Sequence, residues 1–277
     1  MMMAKEDVKE LDHPRTAEAG DEAADHLDLR SEIQENYGRQ PVPWDEWVFT
    51  ALHFPARARI LELGSGSGRF WEQNRSRTPS GWRLVLSDVT QESLAKAREN
   101  LAAQTGRRAN QFRFASLDGQ ALPFEDRSFH AVLALGVLDL VEDVDKALGE
   151  VQRVLRPEGQ FILSAGGAGH LHEMEDLLAP FIPARQAKAL GGDEDRFGLE
   201  NGKSLLAPYF KDVTRLDFRD QMTFTDLQPI LSYVLSEPVV MQSLTLSRLT
   251  QLTQALKDEL ARRGEINITV RKGLFIA

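Results

Sequence analysis

Three glycines at alternate positions follow a carboxylate in the run Glu-Leu-Gly-Ser-Gly-Ser-Gly, which covers residues 62–68. Glycine has no Cβ, so the main chain at Gly64, Gly66 and Gly68 can adopt positive φ and can lie directly against a ligand. The residues before the run are mostly apolar, as in a buried strand, and helix-compatible residues begin at Phe70. Free N–H groups at the start of a helix favour a carboxylate or a phosphate. The spacing therefore predicts a nucleotide-type cofactor site, and the alternative is a strand-to-helix turn without a ligand.

The positions of the glycines separate two classes of cofactor. A dinucleotide-binding loop has glycines at its first, third and sixth positions. Counted from Gly64, Gly66 fits the third position, but Arg69 stands at the sixth and Gly68 comes one residue early. NAD is therefore disfavoured. With Glu62 two residues before the first glycine, the run resembles the acidic-x-Gly-x-Gly-x-Gly signature of class I S-adenosylmethionine (SAM) methyltransferases.

A second carboxylate, Asp88, ends an apolar run over residues 82–88 that we interpret as the next strand. It follows the glycine loop by about twenty residues, the distance at which an acid can accept hydrogen bonds from both hydroxyls of a ribose. The carboxylate could instead cap a helix that starts near Gln91. The distance from the loop favours ribose binding, although an acid at this position suits NAD and SAM equally.

Residues 116–129 carry a third pattern, in which Asp118 precedes a Leu-Pro-Phe run. The segment closely resembles the acid-x-x-x-Leu-Pro-Phe-x-x-x-x-Phe-Asp element of the methyltransferase type 11 group. In that family the acid accepts a hydrogen bond from the adenine amino group and the next backbone N–H reaches a ring nitrogen, which implies these roles for Asp118 and Gly119. Residues 153–159 resemble the family's turn before the fifth strand, so the resemblance covers roughly residues 58–164.

The resemblance implies S-adenosyl-L-methionine as the cofactor and methyl transfer as the reaction. The cofactor-binding residues predicted on this basis are Glu62, Gly64, Ser65, Gly66, Gly68, Asp88, Val89, Asp118, Gly119 and Leu135. Many relatives have a histidine where this chain has Leu140, so a general base at that position is missing. Other candidate bases are Asp139, His170, His172 and Tyr37. Structural roles are favoured for all four, so no catalytic residue is predicted.

The order of elements predicts an α/β fold, namely a doubly wound, mostly parallel, seven-stranded Rossmann-like sheet with helical lid insertions. Apolar strands alternate with amphipathic helices up to residue 164, and two late strands are separated by helices. In the class I plan the last strand is antiparallel. The predicted strands after the glycine loop are 82–88, 111–115, 131–135, 160–164, 213–218 and 267–276.

Three regions are predicted along the chain. Residues 1–28 are polar and acidic and are expected to form a flexible arm, and residues 29–57 are expected to form an N-terminal helical cap. The aromatic residues of this cap either fold over the cofactor cleft or pack on the outside of the sheet. Residues 58–277 are expected to form the SAM-binding domain, with a mobile loop at 186–197 and a helical insertion at about 221–265 that serves as a substrate lid.

Composition narrows the classes of partner. The 277-residue chain has a net charge of −9, which argues against the broad basic surface that nucleic-acid binding requires. It has no cysteine, so disulfides, thiolate catalysis and zinc–cysteine sites are excluded, and no metal is expected. With no signal peptide and no apolar run of bilayer length, we expect a cytoplasmic protein without a membrane partner. A small-molecule methyl acceptor is the first hypothesis and a non-catalytic SAM-binding protein the second, and the oligomeric state is left open.

Overall fold

Seven strands form one sheet in the order β3-β2-β1-β4-β5-β7-β6. The computed structural model describes residues 22–102 and 111–277. Strands β1 to β5 run parallel, and β7 lies antiparallel between β5 and β6. The predicted fold class is therefore confirmed. The strands are β1 (Arg59–Leu63), β2 (Arg83–Asp88), β3 (Phe112–Ser116), β4 (Phe129–Leu135), β5 (Leu155–Gly166), β6 (Thr214–Phe224) and β7 (Ile266–Ile276).

Helices cover both faces of the sheet and its carboxyl edge. Within residues 22–102 and 111–277, two precede the sheet, three alternate with its parallel strands, and six follow β5. They are α1 (Glu22–Tyr37), α2 (Trp44–Thr50), α3 (Arg69–Gln73), α4 (Gln91–Ala102), α5 (Val144–Val154), α6 (His172–Leu178), α7 (Ala184–Lys188), α8 (Gly202–Leu206), α9 (Leu227–Leu235), α10 (Pro238–Met241) and α11 (Leu246–Arg263). None of these helices is both long and apolar enough to cross a lipid bilayer.

The parallel strands are buried because helices pack on both of their faces. In β1, Ile60, Leu61 and Leu63 are all buried. Helix α5 shows how a covering helix is specified: the Asp143 carboxylate accepts a hydrogen bond from the N–H of Lys146 at the first turn. Its buried residues, Ala147, Leu148, Val151 and Val154, recur at helical spacing and face the sheet.

The β6–β7 pair extends past the carboxyl edge of the parallel strands. Gly166 of β5 pairs with Lys272, but β7 continues beyond this point to Ile266, which pairs with Phe224. A second hydrophobic core forms on this extension. Its buried side chains come from α6, α9, α11 and the two strands, and include Met174, Phe224, Ile230, Leu252 and Ile268.

The described residues correct some of the predicted boundaries. Residues 22–28 of the predicted arm belong to α1, where ion pairs of Asp25 and Asp28 with Lys96 hold them against α4. The rest of the arm lies outside the described residues. The predicted mobile loop at 186–197 contains the end of α7 and a single 3₁₀ turn, Ala189–Gly191. The insertion starts after Phe224, since β6 continues beyond the predicted 213–218 to pair with the whole of β7.

Candidate cofactor site

The glycine loop leaves the carboxyl end of β1 in the left-handed conformation. The φ angles are 65° at Gly64, 54° at Gly66 and 73° at Gly68, a region that side-chain-bearing residues rarely adopt. A Cβ at Gly64 would come within 2.4 Å of Cγ2 of Val137, whereas a Cβ at Gly66 would meet no described heavy atom within 4 Å. Gly64 is therefore required by packing. Gly66 instead leaves its main chain open to a ligand.

The hydroxyl of Ser65 supports the same interpretation. Its Oγ is buried and has no hydrogen-bond partner among the described residues. The Ser65 N–H donates to the carbonyl of Ser87 in β2 (2.8 Å), which fixes the loop against the neighbouring strand. A buried hydroxyl normally has a partner, so an orphaned one in this loop fits a polar ligand.

Asp88 lies at the end of β2 and contacts the loop directly. Its Oδ2 accepts a hydrogen bond from the N–H of Gly66 (3.0 Å). Its Oδ1 accepts from the N–H and the hydroxyl of Thr90 (3.0 and 2.9 Å) and so also orders the turn before α4. The contacts with Thr90 give the capping interpretation a structural basis, and ribose binding stays a prediction. Val89 follows it with 47% of its surface exposed, an apolar face beside the loop.

The ends of β3 and β4 complete this edge. Asp118 follows β3, and its Oδ1 accepts from the N–H (2.9 Å) and the side-chain amide (3.0 Å) of Gln120. The N–H of Leu117 donates to the Asp88 carbonyl (3.1 Å), which holds the two strand ends together. Leu135 ends β4 and is half-buried. The predicted residues at the ends of β1 to β4 therefore lie along one edge of the sheet.

Gly136 also belongs to this edge, although the sequence-based prediction did not include it. Its φ is 71°, and a Cβ there would meet no heavy atom of the described chain within 4 Å. The signal in the sequence was available, because a glycine directly after a buried strand indicates a close approach of backbone and ligand.

Glu62 differs from the other predicted residues because it lies beneath the loop. It is 3% exposed, and its Oε2 accepts a hydrogen bond from Nε1 of the buried Trp71 (2.6 Å). The pKa of this carboxyl is raised to about 8, chiefly by burial; the Trp71 hydrogen bond opposes the rise, and the nearby Asp45 and Asp88 add to it. In this arrangement Glu62 positions α3 and the loop.

Comparison with known proteins agrees with this geometry. The model of a methyltransferase domain family, type 11, matches residues 61–163, the segment from β1 to β5. This segment of the chain is therefore similar to the methyltransferase domains of that family. The match ends at residue 163, before the β6–β7 extension and its helices, so it covers the part from β1 to β5, here called the cofactor half, and not the remainder of the chain.

Curated relatives of the chain include the ubiquinone/menaquinone biosynthesis C-methyltransferase UbiE of Hahella chejuensis, 32% identical over 121 residues, or 43% of this chain and 47% of that protein. The demethylmenaquinone methyltransferase of Thermus thermophilus is 38% identical over 109 residues, or 39% of this chain and 47% of that protein. The matches thus span about half the length of these relatives.

Solved structures share the fold. The phosphoethanolamine N-methyltransferase 2 of Haemonchus contortus, crystallised with S-adenosyl-L-methionine, superposes with a TM-score of 0.54 at 18% identity, over 92% of this chain and 56% of that one. The YcgJ protein of Bacillus subtilis gives 0.54 at 19% identity, over 83% and 94%.

The four candidate bases make their contacts outside the glycine loop. Tyr37 stacks on Phe224 (5.1 Å between ring centroids), and the exposed His172 lies 2.9 Å from the Gly169 carbonyl. Burial lowers the pKa of His170 to about 3, and Nδ1 of this ring accepts a hydrogen bond from the Arg271 N–H (3.2 Å). Burial raises the pKa of Asp139, which lies near the loop of Gly192 and Arg196. In the described part of the chain no hydrogen bond or ion pair joins any of the four to the glycine loop.

Helix α1 covers the glycine loop. The Ser67 hydroxyl donates to Asp28 (2.6 Å), and Arg69, the first residue of α3, donates to Glu35 (2.6 Å). On its other side α1 reaches the insertion, where Gln34 donates to the Tyr233 hydroxyl (2.9 Å). Helix α1 therefore contacts both the glycine loop and the insertion.

Two aromatic residues of helix α2 pack on the edge of the sheet. Trp44 and Trp47 stack on each other (5.4 Å), and each ring packs at 5.2 Å from Phe218 of β6. These two rings thus cover the edge strand.

Proposed function

We propose that this chain is an enzyme that transfers a methyl group from S-adenosyl-L-methionine to a small-molecule acceptor. The observation that carries the proposal is the edge of the sheet at Gly66 and Gly136. There the main chain is open to a ligand, and the Asp88 and Asp118 carboxylates lie at neighbouring strand ends.

The residues at this edge fit the chemistry of the cofactor. The orphaned Ser65 hydroxyl and the bare main chain at Gly66 would hold its polar amino-acid part. Asp88 would accept hydrogen bonds from the ribose, and Asp118 with the N–H of Gly119 would bind the adenine. When bound, SAM supplies a methyl group already activated by its sulfonium. The protein has to orient the acceptor and exclude water, which can lower the barrier by about 7–11 kcal/mol in favourable cases.

The acceptor is proposed only as a small molecule. The two named relatives act in quinone biosynthesis, but the family match ends at residue 163, before β6, β7 and the insertion. We expect those later elements, together with α1, to choose the acceptor, because α1 contacts both the glycine loop and the insertion. Cytoplasmic location likewise stays a prediction.

Calorimetry with SAM and with its demethylated product S-adenosylhomocysteine (SAH) tests the proposal, and NADH serves as the control ligand. We expect both adenosyl compounds to bind and NADH not to bind. Absence of SAH binding to the wild-type protein would refute the cofactor assignment. A methyl-release assay over a panel of metabolites then tests turnover. SAH binding without turnover of any acceptor would favour the non-catalytic alternative.

A further inference from the structure

A group of basic side chains lies at the amino edge of the parallel strands, opposite the cofactor site. Arg59 is the first residue of β1 and pairs in register with Arg83, the first residue of β2. The backbone N–H of Arg59 donates to Nδ1 of His130 in β4 (2.9 Å), and Nε2 of that ring lies 2.8 Å from Nη1 of Arg156 in β5. The exposed Arg113 of β3 is close enough to act on Arg59 electrostatically. These five residues, here called the basic edge, come from all five parallel strands.

The arginines of the basic edge have no acidic partner among the described residues. No carboxylate oxygen lies within 4.0 Å of a guanidinium nitrogen of any of the four. The acids nearby are Glu125, which acts on Arg59 from a distance, and Glu158 in the turn after Arg156, and both are exposed. Burial lowers the pKa of Arg59, and Arg156 and Arg113 lower it further. Like charges gathered in this way repel one another unless an anion offsets them.

The guanidinium of Arg59 is half-buried and faces a ring rather than a carboxylate. Its Cζ lies 5.1 Å from the centroid of the Phe129 ring. In the part of the chain that the structure describes, Arg59 donates through its backbone N–H to His130, and its guanidinium N–H groups have no acceptor in the protein. A guanidinium stacked on a ring keeps these N–H groups available to an acceptor in its own plane.

His130 places one hydrogen-bond donor against another. A neutral imidazole has one acceptor nitrogen and one donor nitrogen. Nδ1 accepts from the Arg59 N–H, so the proton of the neutral ring lies on Nε2. Burial and the charge of Arg156 lower the pKa of His130, which keeps the ring neutral. The Nε2–H therefore faces the N–H groups of Arg156 at 2.8 Å. An oxygen atom with two lone pairs accepts from both donors once the exposed Arg156 side chain turns outward.

The sequence of this segment agrees with these contacts. The type 11 element described above ends in Phe-Asp, whereas in this chain Phe129 is followed by His130. An aspartate at this position would bring a carboxylate to Arg59 and Arg156, whereas the histidine brings a neutral ring. The chain therefore has the cations of this edge without the acid that the element supplies.

The donors of the basic edge select the class of ligand. Arg59, His130 and Arg156 bring N–H groups from three strands to one place with a net positive charge. The planar fork of a guanidinium matches the oxygens of a phosphate group and can bind two of them at once. The chain as a whole has a net charge of −9, so it offers no broad basic surface to a polyanion such as nucleic acid. A single phosphate group fits both the local and the overall charge.

We propose that the basic edge binds a phosphate group, free or as a monoester, through the guanidinium groups of Arg59 and Arg156 and the Nε2–H of His130. This site lies at the opposite edge of the sheet from the cofactor site and does not depend on the proposed methyl transfer. The bound phosphate joins β1, β4 and β5 and offsets the repulsion among the arginines. A ligand that binds the folded chain alone stabilises it by mass action, so phosphate raises the stability of this protein.

The test is calorimetry and thermal unfolding of the full chain with inorganic phosphate at constant ionic strength. We expect saturable binding, and a rise of about 4 °C in the unfolding midpoint at ten times the dissociation constant. Arg156→Gln should weaken phosphate binding about tenfold, because it removes a charge-assisted hydrogen bond. Arg185→Gln, at an exposed arginine of α7, is the matched control and should bind phosphate like the wild type.

His130→Asp separates anion binding from a merely structural role of the arginines. Its carboxylate accepts from Arg59 and Arg156 within the chain, so we expect a higher unfolding midpoint than that of the wild type without phosphate. The same carboxylate repels an anion, so phosphate should bind at least about tenfold more weakly than to the wild type. Glycerol 3-phosphate is the ester probe. Both phosphate compounds should bind the wild type, and the tighter one identifies the source of the phosphate group.

Four results would overturn the inference. The first is absence of phosphate binding to the wild type, and the second is equal phosphate affinity of the wild type and Arg156→Gln. The third is an equal rise in the midpoint with sodium chloride at the same ionic strength, which would mean general screening of the arginines. The fourth is a short DNA duplex that binds more tightly than either phosphate compound and depends on Arg156, which would make the basic edge a surface for a polyanion.

Discussion

The cofactor half and the remainder of this molecule, formed by α1, α2, β6, β7 and the helices between β6 and β7, are built from contacts of different range. Gly66 and Asp88, which are joined by a hydrogen bond, are 22 residues apart in the chain. Gln34 and Lys272, which are joined by a hydrogen bond between α1 and β7, are 238 residues apart. The first half depends on backbone conformation at strand ends, and the second on side chains gathered from both ends of the chain. A short sequence motif can therefore predict the contacts at the strand ends, but it cannot predict contacts between residues from opposite ends of the chain.

Substitution of Gly64 tests the backbone side of this comparison and should have the largest effect. We expect Gly64→Ala to lower the free energy of unfolding by about 3 kcal/mol, because it combines positive φ with overpacking in the core. The added Cβ would lie 2.4 Å from Val137. Denaturant unfolding measures the change.

The control for this substitution is Gly149→Ala in α5. There a Cβ would meet no described heavy atom within 4 Å, and alanine favours a helix over glycine. We expect a gain of about 1 kcal/mol. If both variants changed the free energy of unfolding by the same amount, the inference that packing requires a glycine at position 64 would be wrong.

Much of this half could be predicted from sequence because its signals are local. The alternating glycines, the acid at the end of β2 and the Leu-Pro-Phe element each depend on neighbouring residues. The exact position of Glu62 could not be predicted in this way. Its carboxyl lies beneath the loop because the indole of Trp71 reaches it, and this contact depends on how α3 turns back on β1.

Asp88 tests whether the predicted edge binds the cofactor. We expect Asp88→Ala to weaken SAH binding about 100-fold, since it removes the ribose acceptor and also frees the Gly66 N–H from its carboxylate. Asp126→Ala is the matched control, because this exposed aspartate pairs with Arg153 away from the loop. Isothermal titration of both variants decides the question, and wild-type affinity in Asp88→Ala would show that ribose binding lies elsewhere.

The remainder of the molecule was predicted only as a cap and a lid, for a physical reason. Lys272 lies in an ordinary amphipathic strand, and its position beside Gln34 follows from the register of β7 against β5 and β6. Glu35 and Asp45 become neighbours of Arg69 only because α1 and α2 fold back over the loop. Neither the strand register nor the packing of α1 and α2 on the loop produces a periodic pattern in the sequence.

Glu62 connects stability to pH in the cofactor half. Its folded-state pKa of about 8 lies above the ordinary value, so the folded protein holds a proton that the unfolded chain releases. This contribution is complete below the ordinary glutamate pKa and is lost as pH rises through about 8. Between about pH 7 and 8 the wild type should therefore lose about 1 kcal/mol relative to Glu62→Gln, whose amide cannot titrate but can still accept from Trp71. Thermal unfolding of both proteins across this range measures the difference. If the stabilities of the two proteins changed in parallel with pH, the raised pKa of Glu62 would be contradicted.

The contact of α1 with the glycine loop joins the two halves and should have the smallest effect. Asp28 accepts from the Ser67 hydroxyl and pairs with Lys96 (2.8 Å), with 28% of its side chain exposed. We expect Asp28→Ala to cost about 0.5–1 kcal/mol of stability and to speed release of SAH a few-fold, since exposed ion pairs contribute little. Asp25→Ala is the control, because Asp25 pairs with the same lysine but does not touch the loop. Stopped-flow release of SAH distinguishes the two variants. Equal release rates for the two variants would mean that the Asp28–Ser67 hydrogen bond does not slow SAH release. Cofactor binding would then not depend on this contact of α1 with the loop.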